Sequence, residues 1–134
     1  MPGWLALLSE AHLALGERDE ALAAAREGIA LGAAGGSRFF EAQAQIALAR
    51  ALLAPGDGAL RAEIEAALDR AERLVDAIDG RVLSPRILET RGRLANALGD
   101  AAAAEQALRQ ALDLYRAIGA TGHAERLERE LSPR

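Results

Sequence analysis

No cysteine and no lysine occur in this chain of 134 residues, and aromatic side chains make up only 3% of it. The missing thiols exclude disulfides, thiolate catalysis and Cys-type zinc sites. The missing lysine removes the side chain that grips phosphate in a P-loop. All 16 basic residues are arginine, scattered among 20 acidic ones to a net charge of −4 and nowhere gathered into a cationic stripe. That distribution argues against a nucleic-acid surface. No apolar run approaches the roughly 18 to 20 residues of a membrane span, and the N-terminus lacks the positive flank of a signal peptide. The expectation is a soluble, cytoplasmic chain with no nucleic-acid or membrane partner.

With so few rings, a core drawn from the 51% hydrophobic share must be filled by Ala and Leu, whose small size lets helix backbones come close. Only four prolines, strong helix formers almost throughout and no run of alternating β-branched residues predict an all-α chain without strands. The length suits one compact domain, 1–134. Breakers at Gly16 to Asp19, Gly32 to Ser37, Pro55 to Gly58, Asp79 to Pro85, Gly99 to Asp100 and Gly119 to Gly122 leave helical segments at 3–15, 18–32, 37–54, 60–78, 85–98, 101–118 and 121–131. Ser37 and Ser84 stand where a helix start needs an acceptor, and Pro85 fits the first helical position. Gly16 and Gly99 suit left-handed helix ends.

The segments pair into hairpins at about 3–33, 37–79 and 84–118, followed by a capping helix at about 121–132. In the third hairpin Leu88, Gly92, Ala95, Gly99, Ala104, Leu108 and Ala111 are spaced by 4, 3, 4, 5, 4 and 3 residues. Gly92 and Ala104 are small where the two helices of a hairpin touch, and Gly99 makes the turn between them. The first hairpin repeats the pattern in Leu5, Ser9, His12, Gly16, Ala21, Ala25 and Gly28. The second runs through Ala49, Leu52 and Gly56 and resumes at Ile64, Leu68 and Ala71 after a lengthened turn, Pro55-Gly56-Asp57-Gly58. The turn glycines Gly16, Gly56 and Gly99 lie 40 and 43 residues apart, more than the 34 of the standard tetratricopeptide repeat.

On these spacings the chain resembles a tetratricopeptide (TPR) repeat, and in particular the C-terminal repeat region of bacterial class III adenylate/guanylate cyclases with an ATPase module and of LuxR-type activators. The closing run Ile118-Gly119-Ala120-Thr121-Gly122-His123-Ala124-Glu125-Arg126-Leu127 is similar to the ending of the cyclase-associated versions. The resemblance implies a right-handed α-α superhelix of three hairpins plus a capping helix. It also implies a protein-binding or scaffolding role within a multidomain signalling protein, and brings no activity with it.

Catalytic and cofactor readings fail on the residues themselves. The run Gly32-Ala33-Ala34-Gly35-Gly36-Ser37 lacks both the lysine and the preceding strand of a phosphate loop. Gly119 and Gly122 lack the third glycine of a dinucleotide fingerprint. His12 and His123 are far apart, whereas a metal site needs three or four converging ligands, so no metal or other cofactor is expected. Glu63 with Glu65 and Glu125 with Glu128 sit among arginines and read as solvated ion-pair faces. Ser9, Ser37, Ser84 and Ser132 have no nucleophile set around them. The chain is expected not to be an enzyme.

Binding is expected on the concave face lined by the first helix of each hairpin, through Glu10, Gln43, Arg50, Arg86, Glu89, Arg93 and Asn96. Arg86, Arg93 and Asn96 together suit a carboxylate or an acidic peptide. A small molecule held in the same groove is the alternative. The first helix follows Met1-Pro2 at once and is crowded with Trp4, Leu5, Leu7, Leu8, Leu13 and Leu15, whereas the last helix is polar-sided. A homodimer through the first hairpin is therefore expected, with Trp4, Leu5 and Leu8 at its centre.

Overall fold

The computed structural model describes residues 3–53, 60–78 and 81–131, and among them every regular element is helical. The helices are α1 Gly3–Ala14, α2 Arg18–Ala34, α3 Arg38–Leu53, α4 Arg61–Ile78, α5 Ser84–Ala97, α6 Ala101–Ala117 and α7 Thr121–Leu131, with a 3-10 turn at Arg81–Leu83. Their limits lie within two residues of the segments read from the breakers. The lengthened turn Pro55 to Gly58 lies outside the described residues.

Four of the turns between helices close in the same way. Gly16, Gly36, Gly99 and Gly119 have φ between 71° and 83°, the left-handed region open to glycine. In each turn the following amide donates to the carbonyl five residues back: Glu17 to His12, Ser37 to Gly32, Asp100 to Ala95 and Ala120 to Tyr115, at 2.8 to 2.9 Å. These bonds satisfy helix-end carbonyls that would otherwise be orphaned. Ser37 then starts α3, its Oγ accepting from the Phe40 amide at 3.4 Å, and Asp100 starts α6 by accepting from the Ala103 amide at 3.1 Å. Ser84 is not a cap. The 3-10 turn leads straight into α5, so Leu83 is the flanking residue and Ser84 is already helical.

Consecutive helices pack on one another, α1 on α2, α3 on α4 and α5 on α6, and α2 and α4 also contact the helices that follow them. Across these pairs α1 touches α3 and α3 touches α5, while α7 lies on α6. The core is correspondingly rich in alanine: Ala21, Ala25, Ala42, Ala44, Ala49, Ala51, Ala71 and Ala111 are all fully buried beside Ile46, Ile64, Leu68 and Leu127.

Close approach is sharpest where side chains are smallest. A Cβ at Gly92 would lie 2.9 Å from Leu108 Cγ and 3.2 Å from the Ala104 carbonyl oxygen, which is the contact the spacing predicts. At the corresponding place in the first hairpin, buried Ser9 donates its hydroxyl to the Ala21 carbonyl at 2.7 Å. Gly32, which reads in the sequence as a breaker, lies inside α2 and serves as a third such contact. A Cβ there would come within 2.8 Å of the Glu41 amide nitrogen on α3.

Gly92→Leu is expected to overpack α5 against α6 and lower stability by about 1 to 3 kcal/mol or more in denaturant unfolding. Gly32→Ala is expected to destabilise as well, although alanine is the better helix former by about 1 kcal/mol, because the backbone of α3 must move. Parent-like stability in either variant would contradict the helix contacts described.

Candidate functional site

Positions 86, 89 and 93 recur at spacings of three and four and so share one face of α5. Around that face the other helices contribute charge. Glu10 of α1 meets Arg86 at 3.3 Å and Arg50 of α3 at 3.5 Å. Arg93 meets Glu89 at 3.4 Å and Glu130 of α7 at 2.7 Å.

The centre is Glu89, a carboxylate only 6% exposed. Arg126 of α7 donates to both of its oxygens, at 3.0 and 2.9 Å, and the Tyr115 hydroxyl of α6 donates at 2.9 Å. Burial pushes the Glu89 pKa up, but the two Arg126 bonds and the Arg126 charge, with Tyr115 and Arg93, outweigh it and hold the carboxyl at about 2. The same burial, together with the Glu89 charge, pushes the Tyr115 phenol up. His123 stacks on Tyr115 with ring centres 4.7 Å apart, and its pKa is lowered by burial and by neighbouring Arg126. One carboxylate thus ties α5, α6 and α7 together.

Arg50, Arg86, Arg93 and Arg126 stand against Glu10, Glu89 and Glu130, so four positive groups against three negative ones leave a net charge of +1. This locally positive patch sits on a chain of net charge −4. Its donors are not fully used: Arg86 Nε is buried without a hydrogen-bond partner among the described residues, and Arg50 is paired there only with Glu10. A cleft of about 230 Å³ opens beside Arg50, lined by Leu13, Arg50, Leu53, Glu89, Thr90 and Arg93 from α1, α3 and α5. Leu13 and Leu53 supply apolar surface, and Arg50 and Arg93 bring guanidinium groups to it. Such a lining suits a carboxylate joined to an aliphatic group.

Of the residues singled out in the sequence, Glu10, Arg50, Arg86, Glu89 and Arg93 come together here. Gln43 is half-buried on α3 and Asn96 is exposed near the end of α5; neither joins the ion-pair network among the described residues. Arg86 and Arg93, expected with Asn96 to suit a carboxylate, are paired with Glu10 and Glu130, while Asn96 stands apart from that network. Tyr115, His123, Arg126 and Glu130 were not anticipated at this site. The one tyrosine of a ring-poor chain was the available signal, since a buried hydroxyl needs a polar partner. Leu5 is no surface residue either: it is 1% exposed and occupies the inward position that Leu88 holds in the third hairpin. Leu8 is half-buried, while Trp4 is exposed. No family model, curated protein or solved structure matches the chain. No helix among the described residues is long and apolar enough to cross a membrane.

Glu89→Gln retains a partner for Tyr115 but takes from Arg126 the carboxylate that accepts from two of its nitrogens, leaving it Glu130 at 3.6 Å, and is expected to cost about 2 to 3 kcal/mol in unfolding near neutral pH. The folded carboxyl titrates below its ordinary 4.5, so its contribution is fully present above about pH 4.5 and is lost as pH falls toward 2. Glu89→Gln should therefore be less sensitive than the parent to acid over that interval. Equal acid sensitivity of the two proteins would remove Glu89 from this role.

Proposed function

We propose that the chain is a protein-interaction module of the tetratricopeptide type, with α1, α3 and α5 forming the binding face and α2, α4 and α6 backing it as a solenoid. The contacts of α1 with α3 and of α3 with α5 support this layering, as does the matched Ser9–Ala21 and Gly92–Ala104 placement in two hairpins. The face takes an extended partner segment carrying an acidic residue next to an aliphatic one. The observation that carries this reading is the cleft where Arg50 and Arg93 flank Leu13 and Leu53. Its role is binding rather than catalysis, and by resemblance it belongs to the assembly of a larger bacterial signalling protein.

Small-molecule sensing at the same cleft is the second reading. Its volume of about 230 Å³ falls below the roughly 300 to 1,000 Å³ of ordinary ligand pockets, so a single side chain fits better than a whole effector.

Labelled peptides that place Asp or Glu beside Leu, with Lys-substituted controls, test the reading by fluorescence anisotropy. Arg50→Ala should weaken binding of the acidic peptides about tenfold, roughly 1.4 kcal/mol, with helicity unchanged. Equal binding of the basic controls, or indifference to Arg50→Ala, would remove the cleft as the partner site.

A further inference from the structure

Helix α1 has two unlike faces. Leu5, Ala6 and Ser9 are buried, whereas Trp4, Leu7, Ala11, Ala14 and the following Leu15 are exposed, the three large ones at 55%, 70% and 74%. At about 100° per residue these five positions fall in one stripe about 100° wide. The stripe carries no charge. The two ionisable residues of α1 are engaged elsewhere, Glu10 with Arg50 and Arg86, and His12 with Glu17 at 2.9 Å.

Size is distributed unevenly along the stripe. Trp4 and Leu7 fill its first half, while Ala11 and Ala14 leave the second half shallow as far as Leu15 at its end. Positions 4 and 14, and positions 7 and 11, are both centred on residue 9. Two antiparallel copies related by a two-fold axis level with that residue therefore set Trp4 against Ala14 and Leu7 against Ala11, large on small at each of these pairs, with Leu15 beyond them at either end.

We propose that this stripe is a self-association surface whose occupant is the same stripe of a second copy. A head-to-tail stack of α1 on α7 is disfavoured by charge, because the outer face of α7 exposes Glu125, Glu128 and Arg129 and would bury them against Trp4 and Leu7. The pairing is independent of the peptide cleft, which faces α3 and α5.

Light scattering during size exclusion of the whole chain over a wide concentration range tests the proposal. The mass should rise from the 14.1 kDa of one chain toward twice that value. Leu7→Ala should weaken association about tenfold, since it removes one large partner at each of two equivalent contacts. Leu7→Ala combined with Ala11→Leu should restore it, because the exchange rebuilds the same large-on-small pair from the opposite halves. Leu7→Glu should remain a single chain, with circular dichroism unchanged for all three variants. A single-chain mass at every concentration would overturn the proposal, as that face would then serve another partner. A dimer that survives Leu7→Glu, or a double variant that fails to recover, would overturn the register and with it the two-fold pairing.

Discussion

The distance between helix backbones is the constraint on which the rest of this molecule depends. With almost no rings to fill space, burial is achieved by letting helices come close enough for alanine to make contacts. Alanine and glycine lose no side-chain freedom when they are buried, which offsets their small apolar area. The cost is a low tolerance for added atoms. At Gly92 a single methyl meets Leu108, and at Gly32 it meets the backbone of α3. Ser9 shows a polar solution to the same problem, since its hydroxyl occupies the narrow gap by bonding to the Ala21 carbonyl.

The polar cluster rests on that spacing. Because Gly92 lets α6 close on α5, the Tyr115 hydroxyl can reach Glu89, and α7 lying on α6 can then bring Arg126 to the same carboxylate. A buried carboxylate is costly alone and is stable here because its charge and both oxygens are met. Its neutralisation by Arg126 leaves the arginines on the α1, α3 and α5 side to set the local field. The ion-pair network on that face therefore keeps a net charge of +1 within an acidic protein.

Much of the fold was legible in the sequence, because helix ends are written in local chemistry. Gly16 and Gly99 adopt the left-handed turns expected of them, and Gly92 and Ala104 meet as their spacing requires. Gly32 was misread because a glycine that ends a helix and one that admits a neighbouring helix are the same letter. Only the crossing with Glu41 tells them apart. The site was half legible. Helical spacing collects Arg86, Glu89 and Arg93 on one face, but pairing with Glu10, Arg126 and Glu130 depends on contacts between distant parts of the chain. For the same reason Leu5, placed on the surface by counting apolar residues, proves to be interior.

A double-mutant cycle on Gly92→Ala and Leu108→Ala tests most directly whether helix spacing governs the fold. The account predicts that Gly92→Ala destabilises the parent despite its gain of about 1 kcal/mol in helix propensity, and becomes neutral or stabilising once Leu108 is shortened. A coupling of about 1 kcal/mol or more would result. Effects that add within about 0.5 kcal/mol would show that α5 and α6 do not meet at these residues and would contradict the account.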